Sequence, residues 1–369
     1  MAYRPSSDKI LLSVVGALTV LGIVMVYSAS SVHAAARHGE SYYFFLRQLT
    51  FAGLGFLALL GLMHVDYHFF QKTRTLAIVL ILTGAALIFA MTQPAVNGAH
   101  RWIFIKGISI QPSEFAKLAV LIFIAWFLHR YEKVLNRPER IATICAVVAI
   151  FAGLIVIAPD LGQAFTLCIV AAVLMVMAGL AWRYIAAAFL CLIPVFYFFV
   201  YNVPYRWSRI AVFLDPENST DDAVWQINQS LIAIGSGGFW GLGPGDSKQK
   251  LFFLPESSTD FIFAIICEEL GFIGATLVVS AFLVFFFRGM KIAFKSQDRF
   301  GFYLGAGITL MVTLQGLINI TMVLGMLPTK GIALPFISQG GSSLLMNLAA
   351  TGILLNLSYQ NKITEAAGD

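Results

Sequence analysis

The chain has 369 residues, of which 59% are hydrophobic and 12% charged, with a net charge of +5 and a mean hydropathy of +0.83. A soluble globular domain carries about 25% charged residues, so this composition excludes one and points to a polytopic membrane protein. The basic residues are dispersed over short loops with no dense stripe, which excludes a nucleic-acid binder.

Ten apolar segments, near 10–30, 44–64, 75–92, 113–130, 141–158, 161–179, 182–201, 260–287, 301–326 and 340–359, approach the ~20 residues a bilayer core requires. They predict an all-α polytopic membrane protein: a single domain over 1–369, with about ten transmembrane helices and one long loop, 202–259, between the seventh and eighth. The first segment, Ile10–Tyr27, lacks an Ala-x-Ala site at a suitable distance and reads as a spanning helix rather than a cleaved leader.

Between the third and fourth spans runs Asn97-Gly-Ala-His-Arg101-Trp102-Ile103. Arg101 suits a phosphate. Trp102 suits a sugar ring or, more commonly, the membrane interface. The fourth span opens Gln111-Pro-Ser-Glu114-Phe-Ala-Lys117. Residues three apart share a helix face, so Glu114 and Lys117 either neutralise each other in the core or present the lysine to a phosphate. Ala158-Pro159-Asp160-Leu161 separates the fifth and sixth spans. Proline stops one helix there, and Asp160 is placed to cap the next.

The long loop contains Asp221–Ile234, whose spacing predicts an amphipathic helix on the membrane surface. Gly235–Ser247 is glycine-rich: a flexible turn or, with Lys248 and Lys250 beside it, a phosphate cradle. The loop then runs into the eighth span through Glu256, Asp260, Glu268 and Glu269. A carboxylate inside a bilayer costs about 2.5–3.5 kcal/mol on insertion scales, so a chain that keeps several has a use for them. Asp260, with Thr259 as the other candidate, is placed as the N-cap of that span. It is equally placed as a general base, kept ionised by the helix dipole. Glu268 and Glu269 lie roughly 12 Å deeper at 1.5 Å per residue and on different faces, so at most one shares a cavity with Asp260.

Before the last span, Pro328–Ser343 holds two prolines, Lys330, Ser338, Ser342 and Ser343. A broken, polar helix start at membrane depth is tolerated where it lines a cavity. Cys145, Cys168, Cys191 and Cys267 have no metal-ligand spacing and read as small core residues. With the N-terminus inside, 14 of the 24 Lys and Arg residues fall on inner loops and 9 on outer ones. That bias places both termini in the cytoplasm and loops 92–112, 158–161, 202–259 and 327–339 outside, where nearly every unusual polar motif falls. No internal repeat is evident, which weighs against an inverted-repeat transporter.

Asn97–Ile103, Gln111–Lys117, Pro159–Gly162, Gln229–Gly238, Gln249–Gly271 and Pro328–Ser343 together resemble the SEDS family (shape, elongation, division and sporulation proteins) over nearly the whole chain. The Pro328-Thr-Lys-Gly331 form resembles its division branch. The resemblance implies a ten-helix glycosyltransferase of the bacterial inner membrane, working at the extracytoplasmic face of the division septum. Such proteins polymerise lipid II with inversion and release undecaprenyl pyrophosphate. Implied partners are a class B penicillin-binding protein (a transpeptidase) and other membrane proteins of the division machinery.

The resemblance makes Asp260 the catalytic carboxylate. Lys117, Glu114, Arg101, Trp102, Asp160, Lys330, Ser342, Ser343 and Glu268 are the expected substrate-binding residues. It leaves a divalent cation, Mg or Mn, open as a cofactor and assigns no ligand to it. The chain departs from the family at Ser258, where histidine is common, at Gln339, where tyrosine is common, and at Ala158, often polar. Two readings from other classes stand beside the polymerase: a lipid II flippase, which needs a polar path across the bilayer, and a non-catalytic division scaffold.

Overall fold

The computed structural model describes residues 7–95, 98–105, 108–203, 207, 210–211, 213, 222–329 and 331–368. Every predicted span is helical: α1 (Lys9–His38), α2 (Tyr43–His64), α3 (Thr73–Ala90), α4 (Pro112–Tyr131), α5 (Pro138–Ile157), α6 (Leu161–Met177) and α7 (Trp182–Phe196). After the loop helix α8 (Asp222–Gly237) come α9 (Ile262–Phe294), α10 (Arg299–Val323) and α11 (Gly341–Gly368). Among the described residues, eight of the ten span helices are long and apolar enough to cross a bilayer by themselves. The other two, α6 and α7, have 17 and 15 residues, and α7 continues as a π turn over Tyr197–Tyr201.

The helix starts follow from local chemistry. Asp8 accepts the Leu11 amide at 3.0 Å, and Asp298 accepts that of Gly301 at 3.0 Å. Pro112 and Pro138 open α4 and α5, where a missing N–H costs nothing. The helix α4 is apolar and buried almost all round, as the centre of a bundle must be. By contrast α3 exposes Ile78, Ile81 and Leu82, and α5 exposes Ile150 and Ile157. These faces belong to the lipid. The close packing of α2 on α11 depends on Gly352, where a Cβ would stand 2.5 Å from Leu59 O.

Three expectations need correction. Only Cys267 is a core residue; Cys145, Cys168 and Cys191 are exposed. In a membrane bundle the outer surface is apolar too, so an apolar run does not imply the core. Neither Asp260 nor Thr259 caps the eighth span. Phe261 takes that place, with no side-chain cap. The Thr259 and Phe261 amides both bond back to Glu256 O, at 3.1 and 3.2 Å, and these turns leave Asp260 just outside the helix. The Gly235–Ser247 stretch, finally, is neither a free turn nor a cradle.

That stretch is fitted to a kink in α9. At Gly271 (φ 63°, ψ −163°) the helix breaks. The Leu242 amide bonds Glu268 O at 2.9 Å and that of Gly243 bonds Glu269 O at 3.1 Å. A Cβ on Gly241 (φ 85°) would lie 2.2 Å from Glu269 O. The glycines are there so that two backbones can meet, and the Leu242 and Gly243 amides are spent on α9.

Candidate active site

A chain of buried polar side chains runs between α4, α6 and α10. Asp160, in the turn between α5 and α6, accepts Gln111 Nε2 at 2.8 Å and Ser113 Oγ at 3.2 Å. It also caps α6 through the Gln163 amide at 3.4 Å. Burial pushes its carboxyl above the ordinary range, and the nearby positive charge of Arg101 acts against that rise. Gln163 Nε2 donates to Glu114 Oε1 at 2.7 Å, and Glu114 Oε2 pairs with Lys117 Nζ at 2.9 Å. Lys117 also donates to Gln315 Oε1 at 2.7 Å. Glu114 and Lys117 are each 2% exposed, so the pair is a core ion pair.

From Gln315 the network reaches the segment before α11. Gln315 Nε2 donates to Ala333 O at 2.9 Å. One helical turn on, Asn319 Nδ2 donates to Ile332 O and to Asp260 O, each at 2.7 Å. Two amide side chains of α10 thus fix both the 331–333 strip and the turn that carries Asp260. Ser338 Oγ adds a third tie, donating to Thr259 O at 2.6 Å.

Asp260 is half-buried, and Gly331 beside it is exposed. A Cβ on Gly331 would stand 3.4 Å from Asp260 Oδ2 and 4.0 Å from Arg101 Nη1. The carboxylate and the guanidinium therefore flank one small cleft floored by bare backbone. Buried Arg101 Nε has no protein partner among the described residues, which leaves that side chain donor capacity for an anion.

A second charged cluster lies apart from this cleft. Glu268 accepts Ser247 Oγ, the Lys248 amide at 2.9 Å and the Gln249 amide at 3.4 Å. Glu269 pairs with Lys250 at 2.9 Å and accepts Ser28 Oγ at 2.6 Å. Both carboxylates hold the loop against α9.

Comparison with known proteins decides the family. The family described as "Cell cycle protein", FtsW/RodA/SpoVE, matches residues 8–363. The chain belongs to the FtsW/RodA/SpoVE family. A probable peptidoglycan glycosyltransferase FtsW of Trichlorobacter lovleyi is 41% identical, covering 98% of this chain and 95% of its own. Stage V sporulation protein E of Bacillus subtilis is 40% identical, covering 97% and 99%. The fold matches a solved peptidoglycan synthase complex, described as coordinating polymerization and crosslinking, with TM-score 0.79 at 23% identity over 96% of this chain and 98% of that one. It also matches the rod shape determining protein RodA of Thermus thermophilus, with TM-score 0.68 at 25% identity over 95% and 96%.

Within this FtsW/RodA/SpoVE chain the expected site residues divide. Asp260, Arg101, Asp160, Glu114 and Lys117 come together. Ser342 joins them by accepting the Gln111 amide at 3.0 Å. Trp102 is half-buried next to Arg101, at the start of a short hairpin, β1 (Ile103–Ile105) and β2 (Ile108–Ile110), that the apolar pattern did not predict. Ser343 is engaged inside α11, accepting Asn347 Nδ2 at 3.2 Å. Glu268 lies in the loop-anchoring cluster. Lys330 and Asn97 lie outside the described residues. The sequence reading missed Gln163, Gln315 and Asn319. The signal was present: Gln315 and Asn319 are four apart, on one face of an apolar helix, where a polar side chain is expensive and must have partners. No three His, Cys, Asp or Glu side chains gather among the described residues to hold a metal ion.

Proposed function

We propose that this chain is a peptidoglycan glycosyltransferase that polymerises lipid II, with Asp260 as its general base. Asp260 takes the proton of the acceptor sugar's 4-hydroxyl as that oxygen attacks the anomeric carbon of a second lipid-linked sugar. The new C–O bond forms as the bond to the pyrophosphate oxygen breaks. Undecaprenyl pyrophosphate leaves with the bonding pair, and the configuration inverts from α to β. Arg101, across the cleft, steadies the departing negative charge.

The observation that carries this reading is the cleft itself. A half-buried carboxylate faces a guanidinium with a spare buried N–H across bare backbone, with the Asn319 side chain fixing the Asp260 turn and that of Gln315 the segment opposite. Lys117 acts from behind: closed in by Glu114 and Gln315, it positions the wall and leaves pyrophosphate contact to Arg101. The bias of Lys and Arg puts the cleft at the extracytoplasmic surface and both termini in the cytoplasm. Substrate tails can then stay in the bilayer during transfer. The kinship with FtsW points to the division septum, with a class B penicillin-binding protein crosslinking the product.

The test is lipid II polymerisation by the purified chain with its class B partner. Wild-type protein should form glycan strands, and Asp260→Ala should lose about 10²–10⁴-fold of the rate, as for a general base. Full activity in Asp260→Ala would exclude the role. Vesicles in which lipid II crosses the bilayer without polymerising would favour the flippase. That reading has little support in α4, which runs from Leu118 to Leu128 without one charged side chain.

A further inference from the structure

At the other end of α4 from Glu114, about 18–24 Å away along the helix, the helices line an open pocket of about 670 Å³. It is lined by His68, Lys72 and Thr73 on one side and Trp126, His129 and Arg130 on the other. Nothing in the proposed transfer reaction uses it. We propose that this pocket binds the phosphate of an anionic phospholipid headgroup.

Four observations converge on an anion. First, neither Lys72 nor Arg130 has a carboxylate within ion-pair distance among the described residues. Their charges lie against rings, Lys72 at 5.7 Å from the centre of Phe69 and Arg130 at 5.9 Å from that of Trp126, and Lys72 also feels the exposed Asp66 carboxylate from beyond ion-pair distance. Second, α3 starts in the pocket wall at Thr73, and its N-cap residue Lys72 makes no side-chain cap hydrogen bond. A helix start of that kind favours phosphate. Third, His129 Nδ1 is buried without a hydrogen-bond partner among the described residues. Fourth, the pocket's nearby acids are already engaged: His68 Nδ1 meets Asp66 at 2.7 Å and its Nε2 meets Asp298 at 3.4 Å. Asp298 also accepts Tyr67 OH at 2.9 Å.

The surroundings favour a lipid over a soluble phosphate. Exposed Phe69 lies at the rim, and exposed Ile78 and Ile81 continue up α3 from Thr73, giving acyl chains an apolar track. Trp126 adds an indole at the depth where membrane proteins place it. Basic pockets between transmembrane helices are the usual recognition mode for such headgroups. In the orientation proposed above the pocket faces the inner leaflet. The anion site itself does not depend on that orientation or on the transfer reaction.

The experiment is native mass spectrometry of the full-length chain with equimolar phosphatidylglycerol and phosphatidylcholine. Wild-type protein should retain phosphatidylglycerol preferentially, and Lys72→Gln with Arg130→Gln should lower that retention roughly thirtyfold, from two surface cations. Lys291→Gln, an exposed cation outside the pocket, is the control and should leave retention unchanged. The lipid-loaded protein, challenged with excess inorganic phosphate, forms the second arm. Equal retention of the two lipids by wild-type protein would overturn the proposal, as would equal losses in the pocket and control variants. Complete displacement of the lipid by inorganic phosphate would make soluble phosphate the ligand and overturn the lipid assignment. Circular dichroism of the double variant, expected to match wild type, separates lost binding from lost folding.

Discussion

Ser258 donates its hydroxyl to Gln339 Oε1 at 2.7 Å, and the Gln339 backbone N–H donates back to Ser258 O at 2.9 Å. The resemblance to the SEDS family expects histidine and tyrosine at these two positions, and in this chain the two residues are partners across the cleft wall. They keep a polar bridge between the Asp260 turn and the segment before α11. Restoring Ser258→His or Gln339→Tyr alone should cost polymerisation activity, because each larger side chain meets the wrong partner. The double exchange should recover much of it. A double-mutant cycle on activity reads this directly: a coupling energy near zero would show that the two side chains act independently.

The Glu114–Lys117 pair predicts an asymmetry in stability. Each side chain is 2% exposed. Removing one charge leaves the other buried and unpaired, which costs about 3–5 kcal/mol. Lys117→Met should therefore lower the thermal midpoint of the detergent-solubilised protein sharply. Glu114→Gln combined with Lys117→Met should lower it less than Lys117→Met alone. If Lys117→Met instead kept its stability and raised only KM, the lysine would be a direct substrate contact.

Gly331 predicts a steric threshold. The space above it is set by Asp260 Oδ2 and Arg101 Nη1, at 3.4 and 4.0 Å from the position of a Cβ. Gly331→Ala makes ordinary van der Waals contacts and should retain most activity. Gly331→Leu should fill the cleft and abolish polymerisation while leaving the helical content unchanged by circular dichroism. Near-normal activity in Gly331→Leu would move the reaction elsewhere.

The hydropathy pattern showed the spans because bilayer thickness imposes one length on every helix, whatever its neighbours. Glu114 with Lys117 was equally legible, since helical spacing alone brings residues three apart together. What the pattern could not show depended on tertiary approach. The Gly235–Ser247 stretch reads as a turn until the kink at Gly271 is seen to receive it. Lys117 reads either as half of a core ion pair or as a phosphate ligand, and spacing alone does not show that Gln315 closes over it from another helix. Three cysteines read as core because lipid-facing and core positions share the same apolar chemistry. Asp260 was found by its cost, and its displacement from the cap position was hidden in the turns that precede α9.

Loop anchoring by Glu269 predicts a defect distant from the cleft. Its carboxylate holds Lys250 and Ser28, tying the long loop to α1 and α9. Lys250→Met leaves Glu269 buried with only the Ser28 hydroxyl, and should loosen residues 245–250. Faster hydrogen exchange confined to that stretch, with the exchange of α4 unchanged, is the expected result.

Asn319 gives the sharpest separation of positioning from bulk stability. Its single Nδ2 group serves two backbone carbonyls, Asp260 O and Ile332 O, one on each side of the cleft. Asn319→Leu keeps the branching of the side chain and leaves both carbonyls without that donor. Each unsatisfied buried group costs about 1–3 kcal/mol, so some loss of thermal stability is expected in any case. Positioning adds something a structural role would not. The rate per folded molecule at saturating lipid II should fall at least tenfold, because the general base no longer holds its geometry. KM should change little, since Arg101 and the outer rim are untouched. Asn319→Asp supplies no N–H donor and should behave like Asn319→Leu, whereas Asn319→Gln keeps the amide and should recover part of the rate. A destabilised Asn319→Leu protein whose folded fraction turns over at the wild-type rate would show that the amide supports the fold and does not position Asp260.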